Sequence, residues 1–186
     1  MRNELRILGI DDGPFFKFRK GEVIIVGTFY RGGNFLDGLL TTKARVDGKN
    51  ATKNIIEMVN KSKFRPQLRA ILLDGVAVGG FNVIDLERLH KETRIPVIAV
   101  IRKKPDVKKI IKTLNDLGWK SKAKLIEKLP EPKKAGKVYM QNIGISEADA
   151  KEIIKLTTTH SELPEPIRVA HIIAGGLVKG ESKGRA

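Results

Sequence analysis

Three acidic residues follow directly on apolar runs: Asp11 after Arg6–Ile10, Asp47 after Ala44-Arg45-Val46, and Asp74 after Ala70–Leu73. Asp12 doubles the first of them. An acid that closes a strand sits where the loops of a sheet gather, so acids from neighbouring strands can meet. Clustered carboxylates repel one another unless a proton or a cation lies between them. Hard oxygen donors in such a set suit Mg²⁺ or Mn²⁺. Each acid taken alone also reads as the start of a turn, since a glycine follows in Asp12-Gly13, Asp47-Gly48 and Asp74-Gly75. Three such acids on one sheet are harder to explain as turns alone.

The three histidines differ in setting. His90 stands in a Lys/Glu-rich helical stretch and reads as solvated. His160 reads as the end of a helix, where a cation or donor meets the C-terminal dipole. His171 lies four residues after Ile167, near the apolar stripe of the last helix, and reads either as a structural partner or as a member of the acidic site. Gly75 to Gly80 has the spacing G-x-x-x-G-G but lacks the Lys-Ser/Thr of a phosphate loop. It reads as a close-approach loop beside Asp74. The nucleophile elbow G-x-S-x-G does not occur.

Strands must carry these acids. Arg6–Ile10, Val23–Tyr30 and Phe35–Val46 read as a three-stranded antiparallel meander, with turns at Gly13-Pro14 and Arg31-Gly32-Gly33-Asn34. The pattern then alternates. Asn50 can cap a helix to about Lys61, Ala70–Leu73 is a buried strand, Val83–Thr93 a helix, Ile95–Ile101 a buried strand, and Asp106–Leu117 a helix. Such alternation implies parallel pairing by right-handed crossovers. The expected fold is α/β: a mixed five-stranded sheet in the order β-β-β-α-β-α-β-α, first strand central, helices on both faces. Lys124–Lys128 reads as a short strand, 130–136 as a loop, Val138–Gln141 as a strand, Ser146 to about Thr158 as a helix, and Pro164 onward as a last helix. One domain over 1–178 and a basic, disordered tail over 179–186 are expected.

Composition bounds the partners. The 186 residues hold 36 Lys or Arg against 21 Asp or Glu, a net charge of +15. That excess favours a polyanion, of which nucleic acid is the commonest. It is concentrated: Arg102–Lys137 carries 13 basic residues against four acids, with Arg102, Lys103 and Lys104 directly after a strand. The absence of cysteine excludes disulfides and thiolate metal sites. No run approaches the ~18 apolar residues of a membrane helix, and the polar start lacks the pattern of a secretory signal. A cytoplasmic protein without membrane partners is expected.

Several stretches also carry a resemblance. Leu8-Gly9-Ile10-Asp11, Ile71-Leu72-Leu73-Asp74-Gly75, Ile95-Pro96-Val97-Ile98-Ala99-Val100 and Leu163-Pro164-Glu165-Pro166-Ile167-Arg168-Val169-Ala170-His171 occur in that order. Together they resemble the endonuclease V family of the ribonuclease H-like fold, and in particular its archaeal branch, the endonuclease dU family. The resemblance implies a Mg²⁺- or Mn²⁺-dependent endonuclease that hydrolyses a phosphodiester bond in DNA near a deaminated base, uracil foremost, in DNA repair. It implies metal ligands at Asp11, Asp47 and Asp74, with His171 completing the catalytic set and Asp12 as an additional acid. Asp47 stands where the family has Glu. Arg102 or Lys103 corresponds to the family's lysine after the fifth strand, and with Lys104 forms the implied nucleic-acid contact. The aromatic–proline wedge of endonuclease V is not recognisable around Asp37–Thr42. The competing readings are a catalytically inactive nucleic-acid-binding protein, an RNA-directed nuclease of the same fold, and a partner-binding scaffold whose lysines only confer solubility.

Overall fold

A computed structural model describes residues 4–16 and 19–182. Strands β1 (Arg6–Asp12), β2 (Glu22–Arg31) and β3 (Phe35–Arg45) form the antiparallel meander. Helix α1 (Ala51–Lys61) returns the chain to β4 (Ala70–Asp74), which pairs in parallel with β1. A small hairpin of β5 (Ala77–Val78) and β6 (Asn82–Val83) precedes α2 (Leu86–Thr93). Strand β7 (Val97–Ile101) then pairs in parallel with β4. Helices α3 (Val107–Asp116) and α4 (Lys120–Glu127), strands β8 (Lys133–Ala135) and β9 (Val138–Ile143), and helices α5 (Glu147–Thr157) and α6 (Glu165–Lys179) complete the chain.

The main sheet runs β3-β2-β1-β4-β7-β9-β8, so β1 is central and β4 lies beside it. Its first five strands are the expected mixed core, and β9 and β8 extend it antiparallel to β7. The central strands are apolar on both faces because both faces are covered. In β1, Leu8 and Ile10 enter one core while Ile7 enters the other. In β4 the same split separates Ile71 and Leu73 from Ala70 and Leu72, and in β7 it separates Val97 and Ala99 from Ile98 and Val100. Helices α1 and α2 cover the first face, and α5 and α6 the second. The opposite parities of one strand thus feed two layers.

Three local expectations change. Lys124–Lys128 is not a strand: Ala123 and Ile126, three apart, bury one face of α4. Residues 133–135, read as loop, pair with β9. Helix α2 starts later than Val83, because Asn82–Val83 pairs in the hairpin and Asp85 accepts a hydrogen bond from the Arg88 N–H, capping the helix there. Asn50 does stand at the N-cap of α1, but its Oδ1 accepts from the Arg45 N–H and from Asn82 Nδ2. The Ala51 N–H is taken instead by Asn82 Oδ1 at 3.2 Å.

Helix α6 lies directly on β1 and β2. Gly9 is required there, because a Cβ would collide with the backbone of Pro166. Thr28 Oγ1 donates to the Pro166 carbonyl at 2.6 Å. Glu165, 4% exposed, takes both Nε and Nη2 of Arg168 at 2.8 Å. The Pro-Glu-Pro-x-Arg sequence therefore docks the first turn of α6, and His171 follows one and a half turns later at the end of β1. Among the described residues no helix is long and apolar enough to cross a membrane. Lys179, where the tail was expected to begin, still belongs to α6, and 183–186 lie outside the described residues.

Candidate active site

Parallel pairing sets the site. Ile10 is opposite Leu73, so the next residues, Asp11 and Asp74, emerge side by side where β1 and β4 end. Helix α6 brings His171 to the same place, and its Nδ1 lies 2.8 Å from Asp11 Oδ2. One potential ligand atom from each of Asp11, Asp74 and His171 lies within 4.8 Å of the other two. Asp11 is 4% exposed and its Oδ1 also accepts from the Asp12 N–H at 2.8 Å. Arg102, just past β7, reaches Asp74 Oδ2 with Nη2 at 3.4 Å. The trio borders a cleft of about 420 Å³ that also exposes Asp12, Phe15 and Lys179.

The electrostatics follow from burial and repulsion. Burial pushes the Asp74 carboxyl up to about 6, with the charge of Asp11 adding to it and Arg102 and His171 opposing. Burial also pushes Asp12 up to about 7, against the Gly79 N–H and with help from Asp11. The hydrogen bond to Asp11 holds His171 protonated above its ordinary range. A buried carboxylate beside a half-buried one at adjacent strand ends is costly unless positive charge lies between them. The carboxylates of Asp11 and Asp74, within one ion's reach and with the His171 ring beside them, fit a small divalent cation.

The structure does not bring Asp47 into this group. Asp47 follows β3 with a positive φ of 52°. Its Oδ1 accepts from the Phe81 N–H at 2.8 Å, its N–H donates to the Gly79 carbonyl at 2.8 Å, and its carbonyl accepts from Lys122 Nζ at 2.6 Å. Asp12 turns the same way: its Oδ2 accepts from the Gly79 N–H at 2.7 Å. Two acids expected near the metal thus hold the 79–81 segment between them. Gly80 sits against Asp47 Oδ1 where any Cβ would clash, so the segment is the close-approach loop that its glycines suggested.

The remaining candidates fall as follows. Lys103 and Lys104 are exposed directly after β7, on the side of Arg102. His90 is half-buried rather than fully solvated, and its Nδ1 meets the Ile95 carbonyl at 2.9 Å. His160 lies between α5 and α6, mostly exposed, 3.6 Å from Glu165. Phe81 packs edge-on to Trp119 in a small core, whereas Phe15 borders the cleft. Sequence reasoning missed Lys122 and Lys179. The i+3 spacing that puts Ala123 and Ile126 inward was the available signal that the α4 segment is helical and that its lysines differ in exposure.

Comparison with known proteins agrees with this architecture. The endonuclease dU family matches residues 3–178. A UPF0215 protein of Methanothermobacter thermautotrophicus is 48% identical over 191 residues, covering 100% of this chain and 94% of the relative. A crystal structure of a protein of unknown function from Archaeoglobus fulgidus superposes with a TM-score of 0.87 at 35% identity, covering 95% of this chain and 100% of the other. Endonuclease V from Bacillus subtilis superposes with a TM-score of 0.60 at 12% identity over 89% of this chain and 77% of that one. Ciona intestinalis endonuclease V, in complex with a 24mer DNA containing an inosine followed by a ribo-adenosine, gives a TM-score of 0.58 at 16% identity over 90% and 83%. The last two share the fold, which is the ribonuclease H-like architecture. With its own fold and nearly its whole length matched, the chain belongs to the endonuclease dU family.

Proposed function

We propose that this protein is a divalent-cation-dependent endonuclease that hydrolyses the DNA backbone near a deaminated base, with uracil the preferred lesion, as a step in DNA repair. The observation that carries the proposal is the meeting of Asp11, Asp74 and His171 at the ends of two adjacent parallel strands. Family membership supports the reaction class, and the family's name supports the base. The fold shared with an endonuclease V held on inosine-containing DNA supports the substrate class.

Asp11 and Asp74 would hold Mg²⁺ or Mn²⁺. Such an ion, when bound, eases ionisation of the attacking water and neutralises charge developing at the phosphate. Asp11 also fixes His171 through Nδ1, which orients the ring and stabilises its protonated form. His171 Nε2 has no hydrogen-bond partner among the described residues, so it is the nitrogen able to give a proton to the leaving oxygen. Arg102, Lys103 and Lys104 meet phosphates beside Asp74. Asp12 and Asp47 hold the 79–81 loop at the rim rather than coordinating the ion. A deaminated base is cheaper to extrude than a paired one, which is where lesion preference would begin.

The test is a panel of end-labelled duplexes carrying one uracil, one hypoxanthine or neither, incubated with Mg²⁺, Mn²⁺ or a chelator. Incision of the uracil duplex only with a divalent ion is expected. Absence of incision from every duplex under every condition would overturn the proposal.

A further inference from the structure

We propose that the α3–α4 helical pair is a second, non-catalytic DNA surface whose exposed lysines grip backbone phosphates of the duplex flanking the site. The inference rests on the reading of that site as DNA-cutting. Residues 102–128 carry ten Lys or Arg against three acids, which is nearly half of the net charge of +15 in a short stretch. The charge is arranged in rows. Lys108, Lys109 and Lys112 are exposed on α3, and Lys120, Lys124 and Lys128 are exposed at four-residue steps along α4 and its C-cap. Residues at such spacings share a helix face.

Elsewhere most helical cations are paired, with Lys91, Lys155 and Lys179 the exceptions among the described residues. Lys53 and Lys61 of α1 both face Glu57, Arg88 of α2 faces Glu92, and Lys151 of α5 faces Glu147. Among the described residues, none of the six exposed lysines of the α3–α4 pair makes an ion pair. Asp106, the acid nearest the start of α3, is occupied as its N-cap, with Oδ1 accepting from the Lys109 N–H. Uncompensated like charges four residues apart disfavour a helix. A polyanion removes that penalty.

The rows are also held rigidly and in the right place. Val107, Ile110, Ile111 and Leu114 of α3 pack with Ala123 and Ile126 of α4 against Val83. Lys122, the one buried lysine of α4, donates to the Asp47 carbonyl and lies 4.0 Å over the Trp119 ring. Helix α3 opens six residues after β7, whose Val100 is opposite Asp74. The pair therefore stands at the same end of the sheet as Asp11, Asp74 and His171, where the acids would otherwise repel DNA. Ordered cations beside a cluster of acids orient the duplex without touching the reacting atoms.

The experiment measures anisotropy of a labelled uracil-containing duplex, without divalent ion, across a NaCl series. Three triple variants are compared with the natural chain: K108Q/K109Q/K112Q, K120Q/K124Q/K128Q, and the control K53Q/K61Q/K91Q. Each phosphate contact contributes about 0.9 to the slope of log Kobs against log[salt]. Either helix variant is expected to lose about two to three from that slope and at least tenfold in affinity at low salt, while the control keeps both. Slopes of both helix variants equal to the control's, or no duplex binding by the natural chain, would overturn the proposal. Incision by the natural chain is scored separately. An uncut duplex with the slope loss intact rejects the proposed reaction alone, and cutting without the slope loss rejects the grip alone.

Discussion

Two pairs of acids stand within a few residues of each other and are treated in opposite ways. Asp11 and Asp74 meet an imidazole and a guanidinium at the cleft, and Asp74 accepts from no backbone N–H among the described residues. Asp12 and Asp47 each spend a carboxylate oxygen on a backbone N–H of the 79–81 loop. A carboxylate oxygen that satisfies an amide donor of a distant loop is held there, because that donor is orphaned if it turns away, whereas Asp11 Oδ1 accepts only from the adjacent Asp12 N–H and its Oδ2 faces His171. One that faces another carboxylate is poised for a cation. The difference is the partner each side chain finds: Asp12 stands beside Asp11 at the cleft, but its Oδ2 is held by the Gly79 N–H, as Asp47 Oδ1 is held by the Phe81 N–H.

The largest expected effect breaks the open pair. Asp74→Asn keeps the shape and removes the charge, and incision should fall about a thousandfold or more, since a catalytic ion is worth several kcal/mol. Initial rates with Mn²⁺ on the uracil duplex check this. A loss below tenfold would place the chemistry elsewhere. Next comes the contact that seats His171 on Asp11. Gly9→Ala forces α6 off β1 at Pro166 and should destabilise by about 1–3 kcal/mol, read by urea unfolding. Unchanged stability would mean that α6 is free to shift.

The closed pair gives a smaller, structural effect. Asp47→Ala leaves the Phe81 N–H without its acceptor and puts alanine at a positive φ, for a loss of about 1–3 kcal/mol. Asp47→Asn keeps an acceptor and tolerates that backbone, so its denaturation midpoint should stay close to that of the natural chain. A collapse of metal affinity in Asp47→Asn would move this residue from the closed pair to the open one.

The smallest effect is a pH trend in metal-free protein. Asp12 near 7 and Asp74 near 6 bind protons more tightly folded than unfolded, where aspartate titrates near ~4. The native state then holds more protons between about pH 4 and 7, so stability falls as pH rises through that window. His171, also raised, contributes in the same direction as pH passes its folded value. The Tm without metal should therefore decline from pH 5 to pH 8, and Mn²⁺ should raise it more at pH 8 than at pH 5. A metal-free Tm that climbs over the same interval would contradict the repulsion.

The sequence revealed most where burial is two-sided. Ile7–Ile10, Ala70–Leu73 and Val97–Val100 are apolar at every step except Gly9, so their strands and the strand-end positions of Asp11 and Asp74 were readable from pattern alone. Helix α4 was not. Four of its eight residues are apolar or small, and the lysines at 120, 122 and 124 imitate strand alternation, while the helix is fixed by a core shared with α3 and β6. Asp47 was placed with the ligands because it too ends a strand. Its partner Phe81 lies 34 residues away, and only the folded hairpin shows that contact. His90 followed the same rule: its carbonyl partner at Ile95 is set by the turn after α2, not by the charged residues around it.

In the proposed site, Asp11 and Asp74, and not Asp47, hold a divalent cation. Titration calorimetry of Mn²⁺ into the natural chain, Asp74→Asn and Asp47→Asn measures it directly. Saturable binding by the natural chain, its loss in Asp74→Asn and its retention in Asp47→Asn are expected. Equal binding by the natural chain and Asp74→Asn would contradict this assignment.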